Sequence, residues 1–194
     1  MMNVYVEKTG FIEVIAGGMF SGKTEELIRR VKRAKIAKQK IMAFKPAMDT
    51  RYDDNDIVSH SNAYFKAQPL SNIKDIYHHD IEDIDVIGID EAQFFSNDII
   101  DVVNDLANQG KRVIIAGLDL DYMGRPFGSI PSLMAVAEYV TKVQAICTVC
   151  GNPASRSLRM ISSDELVVLG AKAQYEPRCR LHFSIDNKGE NNEG

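Results

Sequence analysis

Gly17-Gly18-Met19-Phe20-Ser21-Gly22-Lys23-Thr24 fits the pattern G-x-x-x-x-G-K-[ST]. The glycines of such a loop let it curl until successive backbone N–H groups face a phosphate chain. Lys23 would then neutralise β/γ-phosphate charge, and the Thr24 hydroxyl would be offered to Mg²⁺. A second pair is Asp90-Glu91, two acids that end the apolar run 85–89. Beside a phosphate loop, Asp90 is placed for the metal shell, and Glu91 could take the proton of an attacking hydroxyl or water. Glu91 taken alone could equally be a solvated acid at a helix start. The third group is Cys147-x-x-Cys150 with Cys179-x-x-His182, which together use every cysteine of the chain. That spacing is a tetrahedral Cys₃His zinc pattern. The alternative for Cys147 and Cys150 is a redox dithiol, but such a pair opens a helix, whereas Gly151-Asn152-Pro153 makes a tight turn here. A closed four-ligand site leaves no position for substrate, so the metal would fold its surroundings and not perform phosphoryl chemistry.

These groups need elements to hold them. Phe11 to Ala16 is a short β-branched run that stops at a glycine turn, as a buried parallel strand does. From Thr24 to about Lys38 the period changes: Leu27, Ile28, Val31 and Ala34 share one helical face, and Glu25 and Glu26 occupy the first turn with Arg29 and Arg30 each at i+4. Further strands are expected at Ile41–Lys45, Asp85–Asp90 and Val113–Gly117. A helix through Ile99, Ile100, Val103, Leu106 and Ala107 is stopped by Gly110. Alternation of this kind implies right-handed βαβ units and an α/β domain with a mainly parallel sheet, with ligands at the carboxyl ends of its strands. Residues 46–63, rich in aspartate, read as a mobile surface loop, and residues 186–194 as a disordered polar tail. The expected organisation is a nucleotide-binding core over 1–144, a small metal-stapled unit over 145–185, and the tail.

Composition narrows the classes. At 194 residues there is room for one full domain and an appendage, not for two NTPase lobes in tandem. With 23 Lys+Arg against 27 Asp+Glu, the net charge of −4 supplies no overall field for nucleic acid. The first ten residues lack a signal-peptide core, and no apolar run approaches membrane-spanning length. The expected location is the cytoplasm, with no membrane partner.

The loop Gly-x-Met-Phe-Ser-Gly-Lys-Thr, the strand end Asp90-Glu91-Ala92-Gln93-Phe94-Phe95 and the late Cys/His ribbon together resemble the thymidine kinases of the bacterial and animal-cytosolic type, over about residues 10 to 185. The resemblance implies a P-loop, RecA-like core and a zinc-bearing lasso. It further implies Mg·ATP as donor, the thymidine 5′-hydroxyl as acceptor, a homotetramer, and feedback inhibition by dTTP. It makes Glu91 the base for the 5′-hydroxyl, brings Asp49 and Arg51 of the long loop to the reacting phosphates, and places Asp90 and Gln93 in the nucleotide-site motif. Tyr122 and Phe127, in a flap spanning 118–127, match aromatic positions that contact thymidine. Leu166, Val167, Val168, Leu169 and Gly170, with Tyr175, match the segment that closes over the base, and Met19 and Ser157 are further candidates to line its pocket. Two other readings remain: a nucleoside monophosphate kinase with a zinc lid, although such lids interrupt mid-chain, and a nucleic-acid-dependent ATPase, against which the acidic charge argues.

Overall fold

The computed structural model describes residues 9–47, 56–58, 64–160 and 174–184. Its centre is a six-stranded sheet in the order β5-β2-β6-β7-β1-β8, with every neighbouring pair parallel. The strands are β1 (Phe11–Ala16), β2 (Ile41–Pro46), β5 (Gln68–Leu70), β6 (Val86–Ile89), β7 (Arg112–Gly117) and β8 (Tyr139–Lys142). Parallel strands need crossovers that cover both faces, and the apolar residues sort accordingly. Helix α1 (Lys23–Ile36) lays Leu27, Ile28, Val31 and Ala34 against Ile15, Ala43, Val86 and Ile114 on one face. On the other face, α2 (Asp98–Asn108) and α3 (Ile130–Val136) bury Ile99, Val103, Leu106, Ile130 and Leu133 against Val14, Phe44, Ile87 and Ile115.

The α/β architecture with a parallel sheet is thus the one expected, with local differences. Helix α1 ends at Ile36 and not near Lys38, where the backbone has already turned left-handed (φ 60°). Glu26 alone takes both Arg29 at i+3 and Arg30 at i+4. Within the stretch read as a loop, β3 (Asp56–Val58) pairs antiparallel with β4 (Tyr64–Lys66); most of that stretch lies outside the described residues. The edge strand β8 and the short α3 gave no periodic signal, being four and seven residues long. After the sheet come two small antiparallel ladders, β9 (Ala145–Ile146) with β10 (Pro153–Ala154) and β11 (Arg156–Arg159) with β12 (Tyr175–Arg178). Residues 186–194 fall outside the described residues. No helix among the described residues is long and apolar enough to cross a membrane.

Candidate active site and metal centre

The carboxyl ends of β1 and β6 lie two strands apart in the sheet, and their loops carry the two sequence groups of greatest interest. The chain leaves β1 into residues 17–22, where Phe20 (φ 64°) and Gly22 (φ 84°) sit in the left-handed region. Gly22 suits this turn because no Cβ opposes it. The loop is tied internally: the Ser21 hydroxyl and the buried Lys23 ammonium both donate to the Gly18 carbonyl, each at 2.7 Å. It opens into the first turn of α1, where helix N–H groups and a positive dipole end favour an anion.

Strand β6 delivers its acids to the same place. The Thr24 hydroxyl donates to Asp90 Oδ2 at 3.1 Å, and the Glu91 N–H donates to Asp90 Oδ1 at 2.9 Å. Asp90 is buried; desolvation and the adjacent Glu91 charge push its carboxyl up to about 7, against the pull of the Glu91 N–H, the Thr24 hydroxyl and Lys23. Such a carboxylate beside a hydroxyl of the phosphate loop is a pair that could hold a divalent cation. Glu91 itself is left-handed (φ 50°), a costly conformation for a residue with a Cβ. Its side chain accepts from Gln93.

Gln93 is buried, and both ends of its amide are engaged. Nε2 donates to Glu91 Oε2 at 2.5 Å, while Oε1 accepts the Leu118 N–H at 3.0 Å. The carboxylate is therefore held by an amide that is itself fixed to the root of the segment 118–127. That segment closes on itself: the Phe127 N–H donates to the Asp119 carbonyl, and Asp121 Oδ1 accepts the N–H groups of Met123 and Arg125. Phe127 meets Phe94 edge-on at 6.2 Å between ring centroids. The next residue, Gly128, has φ 52°, and a Cβ there would lie 2.4 Å from the Gln93 carbonyl oxygen. Only glycine lets the segment return this close to Gln93.

The late ladders dock onto the same end of the core. The Ser157 hydroxyl accepts the Met19 N–H at 2.9 Å, so β11 touches the phosphate loop directly. Arg159 lies with its guanidinium 3.6 Å over the Tyr122 ring and donates to the Tyr175 hydroxyl at 2.9 Å. The buried Arg159 thus joins two aromatic residues singled out from sequence, Tyr122 and Tyr175, although nothing in its pattern R-S-L-R announced it. The expected residues Gly17 to Thr24, Asp90, Glu91, Gln93, Tyr122, Phe127, Ser157 and Tyr175 are brought to one end of the sheet. Asp49, Arg51 and the segment Leu166, Val167, Val168, Leu169 and Gly170 lie outside the described residues.

Cys147, Cys150, Cys179 and His182 offer ligand atoms that all lie within 4.8 Å of one another. Cys150 Sγ is 3.7 Å from Cys179 Sγ, and His182 Nδ1 is 3.3 Å from Cys179 Sγ and 3.9 Å from Cys147 Sγ. Ligands at about 2.3 Å from a tetrahedral zinc would be separated by about 3.8 Å, so the donor set fits that ion. A disulfide needs sulfurs at about 2.05 Å, and all three cysteines are free. Burial pushes the Cys147 thiol up, but N–H groups of Cys179, Val149 and Cys150 outweigh it and hold it at about 6. It is poised as a thiolate, the form a metal binds. The cluster can hold a metal ion, and its donors suit zinc.

A strand, a phosphate loop, an acidic strand end with a bridging glutamine and a Cys₃His cluster recur here in the order that the resemblance demanded. The thymidine kinase family model matches residues 10–183, most of the chain, and the chain belongs to the thymidine kinase family of phosphotransferases.

Proposed function

We propose that the protein transfers the γ-phosphate of ATP to the 5′-hydroxyl of thymidine, giving dTMP and ADP. The observation that carries this reading is the Glu91 carboxylate, which accepts from Gln93 Nε2 beside the Asp90–Thr24 pair at the phosphate loop. A carboxylate so placed can accept the 5′-hydroxyl proton as that oxygen bonds to the γ-phosphorus and the bond to ADP breaks. The loop N–H groups of Gly17 to Gly22 and the Lys23 ammonium would bind the phosphates. Thr24 and Asp90 would hold a Mg²⁺ ion, which would supply charge neutralisation at the phosphates. Gln93 would orient Glu91, and Arg51 and Asp49 would act from the long loop.

For the acceptor, Tyr122 and Phe127 would pack beside the nucleoside, with Met19, Ser157, Tyr175 and the segment 166–170 around the base. Residues 145–185 would form the lasso, ordered by a structural zinc on Cys147, Cys150, Cys179 and His182, followed by a polar tail from 186. Inhibition by dTTP follows from the same layout, because one molecule would fill the base pocket and the phosphate loop together. The exposed edge strand β8, with Tyr139 and Val140 outward, supports assembly into a homotetramer.

The test is transfer of labelled γ-phosphate from Mg·ATP to thymidine, deoxyuridine, cytidine, deoxyadenosine and thymidine monophosphate in parallel. Label in dTMP, from thymidine alone or with deoxyuridine also used, is the expected result. Label reaching only thymidine monophosphate, or released only as inorganic phosphate, would overturn it.

A further inference from the structure

At the amino ends of β1 and β7, beside α1, four arginines line a cleft of about 330 Å³: Arg29, Arg30, Arg33 and Arg112. The phosphate loop leaves the opposite end of β1, which at about 3.3 Å per residue is on the order of 16 Å away along the strand. The cleft is therefore separate from the candidate active site. It also runs against the composition of the chain, whose net charge is −4.

Its wall is built and not merely exposed. Glu13, buried on the α1 face of β1, accepts from Arg30 Nη1 at 2.6 Å and from Arg112 Nε at 2.5 Å. Arg30 also donates through Nε to Glu26 and through Nη2 to the Thr141 hydroxyl of β8. Arg29 takes Glu26 in a two-pronged contact at 2.6 and 2.8 Å. Two carboxylates thus contact three of the four guanidinium groups, and two positive charges remain uncompensated by direct contacts among the described residues. The groups that carry them still have open donors. Arg112 is fixed through Nε, with its guanidinium 5.8 Å from the Phe11 ring, and makes no described bond through either Nη. Arg33 makes no side-chain bond or ion pair among the described residues. Arg29 and Arg33 are one helical turn apart, a like-charge spacing that destabilises a helix unless an anion lies between.

We propose that this cleft is an anion site for a phosphate-class oxyanion carrying at least two negative charges. A guanidinium clamped by Glu13 presents a preorganised fork, so little freedom is lost when an oxyanion accepts from Arg112, Arg33 and the open edge of Arg29. The volume accommodates inorganic phosphate, pyrophosphate or the phosphate end of a nucleotide. All three share the chemistry named here.

The experiment is calorimetric titration of the metal-loaded Lys23→Ala protein with pyrophosphate and, separately, with ADP. The Lys23 change weakens the other phosphate-binding position. Arg33→Ala, which removes no internal contact, is expected to weaken binding roughly tenfold, the loss of one charge-assisted hydrogen-bonded partner. Arg112→Lys should weaken it less, because the charge stays and the fork is lost. Equal binding of pyrophosphate and ADP would make the free anion sufficient; preference for ADP would make the nucleotide the ligand; either supports the site. Absence of binding, or binding untouched by Arg33→Ala in a protein whose melting temperature is unchanged, would overturn it. So would a change in sedimentation of the Arg33→Ala protein without anion binding, since the cleft would then be a junction between copies. None of these outcomes depends on whether thymidine is the acceptor.

Discussion

The phosphate-loop end of the sheet and the Cys₃His cluster meet at one place but are held together by different means. Around the loop, each functional group hangs from a strand whose side chains are fully buried: Val14 and Ile15 under the loop, Ile87 and Ile89 under Asp90 and Glu91. Around the cysteines the buried apolar cluster among the described residues is Ala145, Cys147, Ala154 and Cys179, with Phe20 of the phosphate loop packed against it. A core so small cannot offset the entropy of ordering four short strands. In the first region packing positions the chemistry, and in the second the ligand set must do so. Because Ser157 and Arg159 reach from the second region onto Met19 and Tyr122, loss of one should be felt in the other without unfolding it.

Metal removal should separate the regions most sharply. Structural zinc contributes apparent binding energies of about 10–16 kcal/mol in small metal-folded peptides, more than this little cluster could replace. Chelation, or Cys179→Ser, is expected to expose residues 145–184 to protease and to abolish thymidine phosphorylation, while the sheet keeps its far-ultraviolet dichroism and still binds nucleotide. Simultaneous unfolding of both regions in limited proteolysis would contradict the division.

The next largest effects lie inside the core site. Glu91→Gln should lower phosphoryl transfer by roughly 10²- to 10⁴-fold, the range for a general base, with nucleotide affinity retained. Lys23→Ala should weaken nucleotide binding itself. Equilibrium binding of labelled ATP beside steady-state kinetics distinguishes the two, and Glu91→Gln protein with ordinary turnover would remove the base. A smaller change is expected from Gln93→Leu. The Glu91 carboxylate would lose a donor that favours its ionised form, so the acidic limb of the kcat/KM profile should move to higher pH. Gln93→Glu should move it further in the same direction, and an unmoved profile would leave Gln93 a packing residue.

Much of this was legible from residues that obey strong local rules. The loop 17–24 has glycine at its left-handed turn into the helix, Gly22 (φ 84°), Asp90 and Glu91 end a run buried on both faces, and the cysteine spacing is set by a metal's geometry. Less visible were elements defined by tertiary contact. Strand β8 has three exposed residues, Tyr139, Val140 and Lys142, and exists because Glu13 to Ala16 offers it a ladder. Gln93 appeared only as a member of a motif, and its link between Glu91 and Leu118 depends on a fold-back of 25 residues. Arg159 gave no signal because stacking on Tyr122 is a property of two chain segments meeting and not of either sequence.

The gentlest probe of the comparison is acid, because the two regions carry carboxylate and thiolate groups with different windows. Without metal, N–H donors hold the Cys147 thiol low against burial, while Cys150, despite the pull of the Asn152 N–H, is raised by burial and by the Cys179 and Cys147 sulfurs. Protons therefore compete with the ion for these sulfurs, and falling pH should expel it. In the core, Glu26 is lowered from 4.5 to about 2, chiefly by its hydrogen bond from Arg29 and also by Arg30, against partial desolvation. Its folded value lies below its unfolded value, so its contribution is complete above 4.5 and is lost as pH falls towards 2. With Arg29 57% exposed, solvent screening keeps that contribution below about 1 kcal/mol. Lowering the pH from 7 should therefore release metal first, with protease sensitivity confined to residues 145–184. Only below about 4.5 should the melting temperature of the sheet lose the part contributed by Glu26. In Glu26→Gln protein that last step should flatten while the metal step stays where it was; a metal step that moved with Glu26 would mean that the two regions respond to acid as one.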